Sequence, residues 1–91
     1  MADAQLQRIL IVDDEEIVHQ TVGEYLTQQG HVVDHAFDGS SGQLMAKRAE
    51  YDLVLLDVRM PDASGLEIMP LILEEKPDLS IVIISGHGTM D

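Results

Sequence analysis

Tyr51-Asp-Leu-Val-Leu-Leu-Asp57-Val-Arg-Met-Pro61-Asp62 is the stretch that decides how this chain folds. Leu53 to Leu56 make an apolar run that is too short for a helix and fits a buried strand. The run stops at a carboxylate, Asp57, and Met60-Pro61 closes it off, because proline has no amide to give to a ladder. One acid is thereby set at the carboxyl end of an inner strand, the edge where ligands bind in open α/β sheets. A lone strand-end aspartate usually does no more than open a turn, so the reading depends on whether other acids converge on the same edge.

Upstream, Arg8-Ile-Leu-Ile-Val-Asp13 is a first β-branched run that also ends in acid. Asp13-Asp14-Glu15-Glu16 then supplies cap and first-turn acids for a helix, where they favour the positive end of the dipole. From Glu15 to Gln29 the residues Val18, Val22, Tyr25 and Leu26 recur at helical spacing, and Gly30 stands where a left-handed C-terminal residue is expected. His31-Val-Val-Asp-His-Ala36 reads as a second strand, and Asp38-Gly39 as a turn. A helix follows from about Ser40 to Ala49, with Gly42, Met45, Ala46 and Ala49 on a small face suited to close packing.

Downstream of the central motif, Ser64 caps a helix from Gly65 to about Glu75, in which Pro70 is expected to cause a weak point or kink. Ser80-Ile-Val-Ile-Ile-Ser85 is a fourth apolar run. The alternation of strand and helix predicts an α/β domain with a parallel sheet and right-handed crossovers.

Composition narrows the possibilities. Ninety-one residues allow one small domain, and a hydrophobic fraction of 45% is ordinary for a globular protein. The absence of cysteine excludes disulfides and thiolate metal sites and fits a reducing compartment. The start has no basic region followed by an apolar run, and no stretch approaches membrane-spanning length, which predicts a cytoplasmic protein without a membrane partner. A formal charge of −12, with Arg8, Lys47, Arg48, Arg59 and Lys76 scattered along the chain, argues against direct nucleic-acid binding. Acidity of this size invites a cation wherever the carboxylates gather.

They gather at the sheet edge. The first strand ends in Asp13 and Asp14, the third in Asp57 and the fourth in Ser85. If those three strands are neighbours, three carboxylates meet and repel, and a hard cation is the natural remedy. Mg2+ suits such a site, because it takes a few oxygen ligands and keeps several waters. No serine–histidine–acid set is apparent, and no glycine-rich phosphate loop follows the first strand.

Taken together, Ile-Leu-Ile-Val-Asp13-Asp14, Tyr-Asp-Leu-Val-Leu-Leu-Asp57-Val-Arg-Met-Pro61 with Gly65, and Ile-Val-Ile-Ile-Ser85-Gly86 resemble the receiver domain of two-component response regulators. The ending Ser85-Gly86-His87-Gly88-Thr89 is most similar to receivers of the nitrogen-regulation type. The resemblance implies a flavodoxin-like fold with strand order 2-1-3-4 in this chain. It implies that Asp57 is a phosphoacceptor taking a phosphoryl group from a histidine kinase. It further implies Mg2+ held by Asp14, Asp57 and the backbone carbonyl of Arg59, with Asp13 reaching it through water, and Ser85 hydrogen-bonding a phosphoryl oxygen. The product is a signalling phosphoprotein that controls an output such as transcription, rather than a turnover enzyme.

The family's domain has a fifth strand, a lysine and an aromatic switch residue for which this sequence has no counterpart. Residues 1–91 are therefore expected to be the N-terminal part of a receiver, with an apolar edge at Ile81–Ile84 that invites self-association. An aspartate-nucleophile phosphatase is a poorer fit, because Asp57-Val58-Arg59 puts a cation where its second acid belongs. Flavin binding is poorer still, because the acids after the first strand would repel the phosphate. A receiver that only binds or dimerises, without switching, is the serious rival. His19, His31, His35 and His87 show no metal-ligand spacing, and His19 is expected to face solvent. Asp62 reads as a turn acid.

Overall fold

The computed structural model describes residues 6–84. Within them the chain alternates β1 (Arg8–Val12), α1 (Glu16–Gln28), β2 (Val32–Ala36), α2 (Gly39–Arg48), β3 (Leu53–Asp57), α3 (Gly65–Glu75) and β4 (Ser80–Ile84). The strands form one parallel sheet in the order β2-β1-β3-β4. Registers such as Val12 opposite both Ala36 and Leu56, and Asp57 opposite Ile84, bring the carboxyl ends of the strands level. The ladder between β1 and β2 runs on to the Asp13 amide, which donates to the Ala36 carbonyl at 3.1 Å.

Side-chain alternation divides the sheet into two faces. Leu10, Val12, Val54 and Leu56 point to one side and pack with Ala46 of α2 and with Ile68 and Ile72 of α3. Ile9 and Ile11 are buried in β1 as well, so that strand is covered on both faces, as an inner parallel strand should be. Gly42 and Ala46 are buried, as expected for the small face of α2. A Cβ on Gly42 would lie 2.5 Å from Val12 Cγ1, so only glycine permits α2 to come this close to β1.

Local signals act where the sequence put them. Ser64 accepts a hydrogen bond from the Leu66 amide at 3.2 Å at the start of α3, and Asp38 accepts one from the Ser41 amide at 2.7 Å at the start of α2. Gly30 has φ of 98°, which ends α1 with a left-handed residue.

One expectation needs correction. The buried residues of α1 are His19 and Gly23, whereas Val22 and Tyr25 are 36% and 61% exposed. The helix turns its narrowest residue to the sheet: a Cβ on Gly23 would meet Ile11 Cδ1 at 3.7 Å and His35 Cε1 at 3.0 Å. Close approach at Gly23 selects the face, and the larger apolar residues lie beside it. Helix α3 runs from Gly65 to Glu75 with Pro70 inside it, as the sequence predicts. Proline leaves the carbonyl four residues back without its donor, but Leu66 and Pro70 are both exposed, so water can serve that carbonyl.

Candidate functional site

The sheet order makes β1 and β3 neighbours, and their ends carry the acids. Asp13, Asp14 and Asp57 each offer a carboxylate oxygen, and these oxygens lie within 4.8 Å of one another. Asp13 is 1% exposed and Asp57 is 0% exposed. At that spacing each pair of charges repels by on the order of 3 kcal/mol at an effective dielectric of about 20. A divalent cation relieves this repulsion. The donor set also fits one, because Asp13 Oδ2 and Asp14 Oδ1 are buried with no hydrogen-bond partner among the described residues. Buried polar atoms are almost always satisfied, so two such oxygens beside a third carboxylate are a natural cation seat.

The surrounding backbone holds these residues still. Asp13 Oδ1 accepts from the Glu15 amide at 2.8 Å, so this acid closes the turn that leads into α1, whose N-cap is Glu15, while it faces the cluster. After Asp57 the chain folds back on itself: the Gly65 amide donates to the Val58 carbonyl at 2.9 Å, and Met60 and Ala63 exchange hydrogen bonds of 3.1 and 3.3 Å. Arg59 lies in this loop, with its amide making a long hydrogen bond of 3.4 Å to Asp57 Oδ1 and its side chain exposed. Ser85 and His87 lie outside the described residues. Lys47 pairs with Glu75 at 3.3 Å and Lys76 with Glu50 at 3.2 Å, both at the amino edge of the sheet and away from the acids.

Asp62 does more than turn the chain. Its two carboxylate oxygens accept from the amides of Gly39 at 2.9 Å and Ser40 at 3.0 Å, tying the loop after β3 to the first turn of α2. The bond from Gly39, and then that from Ser40, hold its carboxyl below the usual carboxylate range. A carboxyl whose folded value is depressed stabilises the fold above its unfolded value, and that stabilisation is lost as pH falls through the folded value. Asp62→Asn mimics the protonated form. Its urea midpoint is expected to fall below that of the wild type at neutral pH and to converge with it in acid. A gap unchanged between neutral pH and pH about 3 would count against this role.

His19 is buried at 5% exposure, contrary to the expectation that it faces solvent. Its Nε2 is 2.7 Å from the Asp13 carbonyl oxygen and its Nδ1 is 2.8 Å from His35 Nδ1. Its ring stacks on Phe37, with centroids 4.0 Å apart. A polar residue is at home here because both ring nitrogens are satisfied. Burial, followed by the nearby His19, lowers the pKa of His35, while Asp34 raises it. Asp34 also accepts from the Tyr51 hydroxyl at 2.7 Å; burial and then this bond push the Tyr51 pKa up to about 12.

Comparison with known proteins gives a consistent picture. The response regulator receiver domain family matches residues 9–91. The probable transcriptional regulatory protein SilR of Salmonella typhimurium is 36% identical over 84 residues, which are 92% of this chain and 37% of that protein. The crystal structure of the response regulator protein TrrA from Thermotoga maritima, in complex with Mg2+ and BeF, is 35% identical with a TM-score of 0.85, over 91% of this chain and 72% of that one. TrrA in complex with the histidine kinase ThkA superimposes with a TM-score of 0.83 at 34% identity, over 92% of this chain and 72% of that one. The chain spans less than two fifths of the length of the curated relatives SilR, TcrX and YcbL. Among the described residues, no helix is long and apolar enough to cross a membrane.

Proposed function

The chain belongs to the receiver domain family of two-component response regulators, and from that premise we propose that Asp57 accepts a phosphoryl group from the phosphohistidine of a histidine kinase. The observation that carries this reading is the meeting of Asp13, Asp14 and Asp57 within 4.8 Å at the carboxyl ends of adjacent strands. A carboxylate oxygen of Asp57 attacks phosphorus, the P–N bond breaks with its electron pair returning to the imidazole, and an acyl phosphate forms. Phosphoryl transfer asks for in-line placement and charge stabilisation more than for covalent machinery.

Mg2+ is the cation we assign to the site; when bound, it offsets the repulsion between the attacking carboxylate and the phosphoryl oxygens. Asp14 and Asp57 would hold it through carboxylate oxygens, Arg59 through its backbone carbonyl, and Asp13 through a water. Ser85 would hydrogen-bond a phosphoryl oxygen. TrrA, whose structure holds Mg2+ and BeF and which also forms a complex with ThkA, supports carrying these roles over. SilR and TcrX are named as probable transcriptional regulatory proteins, which supports control of transcription as the output. A cytoplasmic location and the lack of direct DNA contact by this acidic domain belong to the same proposal. We class the domain as a stoichiometric phosphoacceptor rather than a turnover enzyme.

The test is intact-mass spectrometry after incubation with a small phosphodonor. A single added phosphoryl group is expected with Mg2+, and its loss when a chelator removes the metal. A folded chain that gains nothing in Mg2+ would instead favour a module that binds without being phosphorylated.

A further inference from the structure

Asp13 is held at almost every polar atom. Its amide donates to the Ala36 carbonyl at 3.1 Å, its carbonyl lies 2.7 Å from His19 Nε2, and its Oδ1 accepts from the Glu15 amide at 2.8 Å. The one atom left is Oδ2, which is buried and without a hydrogen-bond partner among the described residues. The contact that spans from the helix to the strand end is the one from His19. A carbonyl oxygen can only accept, so Nε2 carries the hydrogen whatever the state of the ring. In the neutral ring Nδ1 is then the acceptor, and His35 Nδ1 faces it at 2.8 Å as donor. Phe37 stacked at 4.0 Å leaves the imidazole little freedom to turn.

The carbonyl held by His19 belongs to the peptide that joins Asp13 to Asp14. The plane of that peptide sets the direction in which both side chains leave the backbone. Metal-site geometry commonly depends on such outer partners, whose loss weakens metal binding although they never touch the ion.

We propose that His19 is a positioning residue of the cation site: by donating Nε2–H to the Asp13 carbonyl it orients Asp13 and Asp14 toward Asp57, with His35 and Phe37 of the β2 end locking its ring. This rests on the Mg2+ reading given above. It links the second strand, which contributes no ligand, to the ligands on the first.

The experiment is a Mg2+ titration of the 91-residue chain followed by amide NMR, with urea unfolding alongside. Three variants are compared: His19→Leu, which keeps volume and loses the donor; His19→Gln, whose amide nitrogen reaches as far as Nε2 and still donates; and His35→Ala, which frees the ring. His19→Leu is expected to weaken Mg2+ binding about tenfold, and His19→Gln to remain within about twofold of the wild type. His35→Ala is expected to fall between them, and it decides the matter if His19→Leu does not fold. A purely structural role would shift the urea midpoint and leave Mg2+ affinity alone. Wild-type affinity in folded His19→Leu, or equal loss in the Leu and Gln variants, would overturn the proposal while the Mg2+ reading stands. A wild-type chain that does not bind Mg2+ would overturn both.

Discussion

Asp57→Asn is expected to abolish phosphoryl uptake completely while leaving the chain folded and, without metal, more resistant to urea. Asparagine has the same shape as aspartate, which matters because Asp57 is 0% exposed and has no room to spare. Its Oδ1 can still receive the Arg59 amide. What is lost is the charge: an amide oxygen is a poor nucleophile toward phosphorus, so no adduct should form with a small phosphodonor and Mg2+. The same loss removes Asp57 from a cluster whose oxygens lie within 4.8 Å. Relief of repulsion should stabilise the metal-free fold by on the order of 1–3 kcal/mol. On the proposed Mg2+ reading, added Mg2+ should narrow that gap, because an ion that binds only the native state would stabilise the wild type. Loss of the adduct with a raised urea midpoint separates failed chemistry from failed folding. An adduct that persists in Asp57→Asn would place the acceptor elsewhere and remove the central claim.

The sequence made these acids legible because the information was local. β1 and β3 are short, mainly apolar runs, and the acids that end them are next to them in the chain, so Asp13, Asp14 and Asp57 could be put on one edge before any contact was known. Strand order needed only the crossover rules and the family pattern. The surroundings of the acids were not legible, because they depend on pairs distant in sequence. His19 looked like a surface residue of α1 until its partner His35, from β2, stood 2.8 Å away. Asp62 looked like a turn acid, because nothing within its own loop tells that Gly39 and Ser40 bring their amides to it. The face of α1 was misjudged for a related reason. Helical periodicity finds large apolar residues, but Gly23 governs how closely α1 approaches Ile11, and a glycine adds nothing to a hydrophobic pattern.

Gly65→Ala is expected to damage fold and site together, at a cost of about 2–4 kcal/mol. Gly65 opens α3 directly after its cap, Ser64, and its amide donates to the Val58 carbonyl at 2.9 Å. A Cβ there would fall on the backbone carbonyl oxygen of Asp57, 2.9 Å from its carbon and 3.1 Å from Leu56 Cγ. The obstacle is backbone in a buried strand that is paired on both sides, so no side-chain rotation relieves it. Alanine regains about 1 kcal/mol through its better helix propensity, which offsets the clash without cancelling it. Relief must come either from lifting α3 off the Ile68–Ile72 contacts or from tilting the Asp57 peptide. The first lowers the urea midpoint and the second moves a carboxylate out of the cluster. Gly65→Ala should therefore lose both stability and Mg2+ affinity, whereas an ordinary core defect far from the strand end would lower stability and leave affinity nearly intact. A midpoint shift worth less than about 0.5 kcal/mol would show that β3 and α3 do not meet as closely as this geometry requires.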